Sequence, residues 1–413
     1  MKTPTKSQEA VIQKMLSFLA GTSPFFLTSG AAGTGKTFCV CEFAKRSKAR
    51  ILFTAPTNKA VSVLRNTLEA ADFHCEASTI YSYLGLKLEP SGSIKILKDS
   101  QKKKFPTFDL IVIDEGSMVN KKLWEIVQSA ATRQNLRFLV LGDRYQLPPV
   151  GEAESPVWGI EGKAELTEVV RHTNTILDLA EYVKSKIGAL PSRVDLQESA
   201  DVSNLPRGQL ESFLHKRLDL LGKPDMIKLI AWRNLSVDGF NATCRRLLFP
   251  ETEQIFAVGD RITAQEPASA SEDEFLPLMN TSDEGTILKM SPNFDALYNV
   301  PIWDMSIALD KGGTVSLRVP TEAGRAYIEK RKRELAEQAK AAPRFWKDFW
   351  EFHESFHYIT PAYAQTSHKS QGSTYREVLV DVKDILSNRD RETALRCLYV
   401  AVTRASHHVW LIV

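Results

Sequence analysis

The chain has 413 residues, too many for a single hydrophobic core, so about two to four domains are expected. Hydrophobic residues make up 43% and charged residues 25%, with a net charge of +3, as in an ordinary globular protein rather than a disordered or fibrous one. No apolar run reaches the roughly 18 residues that span a bilayer, and the polar start MKTPTKSQEA lacks the apolar core of a secretory leader. The expected location is the cytoplasm, with no membrane partner. The 5 cysteines, at 39, 41, 75, 244 and 397, form no Cys-x-x-Cys and are expected to be free thiols. Cys39 and Cys41, two apart on a helix, should point to different faces.

Residues 4–20 read as a capped amphipathic helix. Its Gln8 amide can both donate and accept, so it could read an adenine edge; a surface glutamine is the plainer alternative. Phe25-Phe26-Leu27-Thr28 is a short apolar run, expected as a buried strand. Gly30-Ala31-Ala32-Gly33-Thr34-Gly35-Lys36-Thr37 follows, a full G-x-x-x-x-G-K-[ST] phosphate loop. Glycines let the backbone turn its N–H groups onto a polyphosphate, and the helix expected from Thr37 to Lys45 adds a positive end. Lys36 is placed for the β- and γ-phosphates of ATP, and the Thr37 hydroxyl for Mg²⁺. A second strand, 50–54, leads into Ala55-Pro56-Thr57-Asn58-Lys59-Ala60, and a hydroxyl-rich stretch follows at 77–82.

Residues 85–104 break the α/β alternation with Lys87-Leu88, Pro90-Ser91-Gly92-Ser93 and Ile94-Lys95-Ile96, a hairpin insertion with a basic base. Leu110-Ile111-Val112-Ile113-Asp114-Glu115 is an apolar strand ending in two carboxylates, the Walker B pattern. Asp114 would hold Mg²⁺ through water, and Glu115 would orient or deprotonate the attacking water. Strand 137–141 ends in Gly142-Asp143-Arg144-Tyr145-Gln146, placing Gln146 to touch a γ-phosphate. Leu166-Thr167-Glu168-Val169-Val170-Arg171 opens the second half. That half reads as another α/β core, with a strand at 227–232 and a helix at 237–248. Between 255 and 320, turns at Gly259-Asp260, Glu284-Gly285 and Gly312-Gly313 suggest a small barrel. Residues 322–357 read as helical, with an aromatic stripe (Phe345 to Phe356) expected to pack between domains. The chain returns to the second core with Thr366-Ser367-His368-Lys369-Ser370-Gln371-Gly372, a strand at 378–381, a helix at 394–403, Arg404 and a closing strand at 409–413.

The order GAAGTGKT, APTNKA, STIYS, IDEGSM, GDRYQLPPV, LTEVVR, TSHKSQGST and LYVAVTRA resembles the superfamily-1 helicases, in particular the phage Dda-like members of the RecD-like, 5′-to-3′ group. The resemblance covers nearly the whole chain. It implies an α/β fold of two RecA-like parallel-sheet motor domains, with a β-hairpin insertion and a small SH3-like β-barrel accessory domain. The implied boundaries are 1–165 (hairpin at about 85–104), 166–254 with 361–413, and 255–360. The implied activity is ATP- and Mg²⁺-dependent movement on single-stranded DNA, 5′ to 3′, coupled to strand separation or protein displacement during replication or recombination. Arg171 and Arg404 would reach the γ-phosphate from the second half, arginine's fork suiting phosphate oxygens. Gln8, Gly30 to Thr37 and Gly372 would line the ATP site. Pro56, Thr57, Asn58, Thr79, Tyr81, Trp232, Asn234 and His368 would face DNA, and Leu88, Pro90, Ile94 and Ile96 would form the wedge. Tyr81 stands where the Dda-like pattern has histidine, which leaves its DNA contact open, and the hairpin has no aromatic tip, which leaves passive or weak strand separation open beside active unwinding. Expected partners are single-stranded DNA, duplex junctions and single-strand-binding or replisome proteins, with the chain itself a monomer.

Rival readings remain open on the residues alone. A phosphate-loop ATPase could remodel protein instead of nucleic acid. His353-Glu354-Ser355-Phe356-His357 spells the zinc-protease pattern H-E-x-x-H, but no third ligand at a matching spacing follows it. The basic runs at 102–104, 245–246 and 330–333 suit either a phosphate contact or a solvated face.

Overall fold

The computed structural model describes residues 3–88, 94–96, 108–168, 175–191, 193–268, 278–281 and 283–413. The chain forms two compact units. The first takes Met1–Arg207, Ile230–Asn234 and Thr366–Val413; the second takes Gly208–Leu229 and Leu235–Gln365. Residue 165, where a boundary is expected, falls inside the first unit, which holds one parallel sheet whole and the larger part of a second.

The first unit begins with the helix Lys6–Ala20. Thr5 Oγ1 accepts the Gln8 N–H at 3.2 Å and Gln8 Oε1 accepts the Thr5 N–H at 3.1 Å, a reciprocal cap that fixes the helix start. Strands β1 (Phe25–Gly30), β2 (Ile51–Ala55) and β3 (Glu76–Thr79) follow, then the hairpin β4 (Leu86–Leu88) and β5 (Ile94–Ile96), then β6 (Leu110–Ile113), β7 (Phe138–Gly142) and β8 (Lys163–Leu166). The hairpin pairs antiparallel, with Leu88 opposite Ile94. The other six strands form one parallel sheet in the order β3-β2-β6-β7-β1-β8. β2, β6 and β7 are buried along their whole length, as continuous apolar strands covered by helices on both faces must be. The loops after β1, β2, β6 and β7 all leave the same edge, where open α/β sheets bind ligands.

The second sheet of this unit runs β10-β17-β18-β9, with β9 (Val202–Leu205), β10 (Ile227–Ala231), β17 (Tyr375–Asp381) and β18 (Ala405–Ile412), and the unit claims Ile230 and Ala231 of β10. β17, β18 and β9 pair in parallel. The helix Arg391–Val402 beneath them starts a turn earlier than its apolar run suggests, because Asp390 caps the N–H groups of Glu392 and Thr393. It is apolar nearly all round, and Ala394, Leu395 and Cys397 to Val402 are all buried. Cys39 and Cys41 both lie buried in one cluster, so the helix Lys36–Ser47 is covered on more than one side.

In the second unit, β11 (Arg261–Ala264), β12 (Glu284–Asp295), β13 (Val300–Leu309), β14 (Thr314–Pro320) and β15 (Ile359–Pro361) pair antiparallel in the order β14-β13-β12-β11-β15, ahead of β16 (Ala364–Thr366). Glu284-Gly285 is not a turn but the start of β12, paired with β11. Lys228 bonds both Glu284 oxygens at 2.9 and 3.0 Å, and Arg261 joins Glu284 at 3.2 Å. The aromatic stripe packs within this unit rather than between domains: Phe352 and Phe356 sit with Val300, Ile302, Ile328 and Leu335. Helical periodicity shows that a stripe is buried but not against what. No described helix is long and apolar enough to cross a membrane.

Candidate active site

The phosphate loop closes where β1 meets the helix Lys36–Ser47. Gly33 and Gly35 have φ of +80° and +85°, left-handed values that favour glycine. Gln8 lies directly under the loop: a Cβ on Gly35 would sit 2.5 Å from Gln8 Nε2. That nitrogen donates to the Thr34 carbonyl at 3.2 Å, and Gln8 is only 3% exposed. Gln8 is thus neither a surface residue nor a free amide; both its polar atoms are bonded to protein. The helix N-terminus carries no side-chain cap, leaving its N–H groups directed at the loop. Lys36 Nζ donates to the carbonyls of Gly30 at 2.6 Å and Ala31 at 3.1 Å, so the lysine arches across the loop where phosphate oxygens would otherwise draw it.

β6 delivers Asp114 and Glu115 to the same edge. Glu115 has φ +53°, a left-handed conformation that strains a non-glycine residue by about 1–3 kcal/mol. The Glu115 N–H donates to Asp114 Oδ1 at 2.8 Å. Burial pushes the Glu115 carboxyl up to about 7, with the Asp114 charge adding to the rise; the charges of Arg404 and Lys36 oppose it. Burial also raises Asp114, against the Glu115 N–H and Lys36. Two carboxyls pressed together in this way would both be relieved by a cation. The Thr37 hydroxyl and Asp114 fit a Mg²⁺ that takes one or two protein oxygens plus phosphate and water. No cluster of three or more metal-ligating side chains occurs among the described residues.

The turn after β7 holds Asp143 and Gln146, both buried. Residues of the second sheet reach this turn directly. Gln371 Nε2 donates to Gln146 Oε1 at 3.1 Å, and Tyr399 Oη donates to Asp143 Oδ2 at 2.7 Å. Gly372, φ +74°, lies against the start of the helix Asn58–Ala70: a Cβ there would come within 2.9 Å of Ala60 Cβ. Arg404 is 7% exposed and donates to the carbonyls of Val400 and Ser373, each at 3.1 Å, while its charge acts on Glu115. Arg171 lies outside the described residues. Asp143, Gln371, Tyr399 and Ser117 stand inside the motif strings, yet no spacing rule singled them out; only their partners across the cleft give them a role.

The residues expected to face DNA are divided in the same way. Thr57 caps Asn58–Ala70 by accepting the Ala60 N–H at 3.2 Å, and Thr79 caps Ile80–Tyr83 by accepting the Ser82 N–H at 3.0 Å. Pro56 and Asn58 are half-buried beside Thr57. Tyr81 packs, half-buried, against the apolar cluster beneath β6, and burial raises its hydroxyl above the ordinary phenol range. The Trp232 N–H donates to Asp384 Oδ2 at 2.7 Å, with its ring half-buried and Asn234 exposed two residues on. His368 is half-buried, and burial lowers its proton affinity, which favours the neutral ring. Of the wedge candidates, Leu88, Ile94 and Ile96 lie in the hairpin ladder and Pro90 lies outside the described residues. Of the basic runs, 102–104 is also outside them. Arg245 pairs with Asp260 at 2.6 Å, Arg246 with Glu211 at 2.6 Å, and Arg331 with Glu334 at 3.0 Å.

Residues 3–201 match the AAA domain family model AAA_30, and residues 361–412 match that of the UvrD-like helicase C-terminal domain. The chain is 24% identical to the ATP-dependent DNA helicase Dda of Enterobacteria phage T4, the alignment covering 93% of each. Over 36% of its length it is 31% identical to the ATP-dependent DNA helicase PIF1 of Emericella nidulans. The chain is a homologue of the Dda and Pif1 helicases. An uncharacterised protein of Acanthamoeba polyphaga mimivirus is 25% identical over 97% of this chain and 98% of its own. Among solved structures, the fold matches a Pif1 helicase from Bacteroides crystallised with ADP-AlF3 and single-stranded DNA. The TM-score is 0.52 at 16% identity, over 100% of this chain and 92% of that one.

Proposed function

We propose that this chain is an ATP-dependent DNA helicase or translocase that moves on single-stranded DNA. One observation carries the reading. The phosphate loop, the Walker B carboxylates and the second-sheet motifs around Gln371, Tyr399 and Arg404 converge on one cleft. A single chain thus supplies both halves of a nucleotide site, which is what converts hydrolysis into movement between them. The Dda and Pif1 relatives are ATP-dependent DNA helicases.

The residues divide the work as follows. Lys36 leaves the Gly30 and Ala31 carbonyls for the β- and γ-phosphates. Thr37 and Asp114 hold Mg²⁺, which when bound neutralises charge on the phosphates. Glu115 orients the attacking water and takes its proton; a carboxyl poised near 7 suits a base at neutral pH. Gln146 and Arg404 face the terminal phosphate, and Arg171 is assigned the same task by its motif. Thr57, Thr79, Trp232 and His368 grip the DNA backbone and bases without reading sequence. The 5′-to-3′ direction, the SH3-like nature of the second unit and a monomeric state belong to this reading by resemblance.

The test is steady-state ATP hydrolysis with and without single-stranded DNA, wild type beside Lys36→Ala. Strong stimulation by DNA, lost in the variant, supports a nucleic-acid motor. A rate indifferent to DNA refutes it and favours a protein-remodelling ATPase.

A further inference from the structure

One side chain joins the phosphate loop to the second parallel sheet. Tyr399 stands on the buried helix Arg391–Val402 and is 1% exposed. Its hydroxyl accepts the Ala32 N–H at 2.9 Å and donates to Asp143 Oδ2 at 2.7 Å. The Ala32 N–H and the Ala31 C=O are the two ends of one peptide unit. That Ala31 oxygen accepts Lys36 Nζ at 3.1 Å and Thr34 Oγ1 at 2.9 Å. A continuous run of hydrogen bonds therefore passes from Lys36, through the Ala31–Ala32 peptide, to Tyr399 and on to Asp143. Bonds in series polarise one another, so removing a charged donor at one end weakens the donor at the other. Arg396, one turn before Tyr399, donates to the carbonyls of Arg144 at 2.6 Å and Gln146 at 3.0 Å. Helix and turn are thus held at several points, and the same helix leads directly to Arg404.

We propose that Tyr399 is a positioning residue that transmits the state of Lys36 to the Asp143–Gln146 turn and to the second sheet. The proposal rests on ATP hydrolysis at this loop. A polyphosphate competes with the Gly30 and Ala31 carbonyls for Lys36 Nζ. When the lysine leaves, the Ala31 oxygen loses a cationic donor, and the Ala32 N–H becomes a weaker donor to Tyr399. The loosening is greatest at the phosphate loop and fades along the series, so the tyrosine stays with Asp143 as its grip on the loop slackens. The helix shifts with the turn, and Arg404 is carried relative to Glu115. The hydroxyl touches no reacting atom; it acts by setting where Asp143, Gln146 and Arg404 stand.

Tyr399→Phe keeps the ring and its packing and removes only the hydroxyl. Four quantities test it: affinity for a fluorescent ATP analogue, kcat and KM of ATP hydrolysis with and without single-stranded DNA, bases travelled per ATP, and the thermal midpoint. Affinity should stay within about twofold, while kcat falls by about tenfold, a typical coupling strength between sites, and each ATP moves fewer bases. A variant with wild-type kcat and step yield overturns the proposal. So does one whose affinity, kcat and thermal midpoint all fall together, since that is the pattern of lost structure alone. Asp143→Asn, which keeps an acceptor for the tyrosine, should lose less kcat than Tyr399→Phe; an equal or greater loss also overturns it. Failure of the helicase reading is seen separately, in a wild-type rate that ignores DNA, and the basal rate then still scores Tyr399.

Discussion

Gln371 Nε2 donates to Gln146 Oε1 at 3.1 Å and to Ser117 Oγ at 3.0 Å, so one amide nitrogen ties the second-sheet motif to the turns after β6 and β7. All three side chains are buried. Gln371→Ala leaves a carbonyl and a hydroxyl without this partner, at about 1–3 kcal/mol. The urea midpoint and the DNA-stimulated kcat should both fall. In a double-mutant cycle with Gln146→Ala, the coupling should be about 0.5–3 kcal/mol. Purely additive effects would show that the contact transmits nothing.

As the proposed base, Glu115 should set the pH dependence of ATP hydrolysis. Its carboxyl, ordinarily near 4.5, is raised to about 7. The acid form cannot accept a proton, so kcat should fall on the acid side, with a midpoint below 7 because a bound cation relieves the carboxyl. Glu115→Gln should lower kcat by about 10²–10⁴ while ATP still binds. A kcat profile that stays flat from about pH 8 down to about 4 would count against Glu115 as the base.

The same shift has a consequence for stability. Between 4.5 and about 7 the folded chain holds a proton that the unfolded chain releases. The stability contributed is fully present below 4.5 and is lost as pH rises through 7. Glu115→Gln removes this ionisation. Without nucleotide or metal, the variant should be more stable than wild type at about pH 8, by ~1–3 kcal/mol given the partial exposure of the cleft. Urea titrations at about pH 5 and 8 should show the difference growing with pH. A difference that shrinks with pH would contradict the assignment.

Lys228 is a buried charge in the second unit. It is 3% exposed, bonds both Glu284 oxygens, and donates to the Ala362 carbonyl at 2.5 Å. Lys228→Met strands a buried carboxylate, at about 3–5 kcal/mol, with Arg261 keeping the loss at the lower end. Denaturant unfolding followed by circular dichroism measures it, and a change below about 1 kcal/mol would mean the pair is dispensable.

The H-E-x-x-H pattern should bind no zinc. His353 Nε2 meets Glu266 Oε2 at 2.8 Å, and His357 Nδ1 accepts the Arg318 N–H at 2.8 Å, so both rings already serve the second unit. Elemental analysis of dialysed protein should find far less than one zinc per chain; a ratio near one would reverse this conclusion.

Local chemistry is what the sequence alone determined. The phosphate loop needs glycine where φ is positive, a Lys-Thr pair at its end, and an apolar strand before it. All of these are neighbours in the chain. β6 ending in Asp114-Glu115 and the cap at Thr5 are legible for the same reason. Tertiary structure alone decided which side chains meet across long separations. Tyr399 bonds Ala32 across 367 residues, and Gln371 bonds Gln146 across 225. Periodicity marks the helix Arg391–Val402 as buried but does not show that its tyrosine points at a phosphate loop. Gln8 looks like any polar helix residue until the loop folds over it. The stripe ending at Phe356 is apolar in any setting, and only the packed Val300 and Ile302 show that its place is inside the second unit. Hydrophobic burial is non-directional, so the sequence says that a face must be covered; the paired geometry of buried hydrogen bonds then selects which surface covers it.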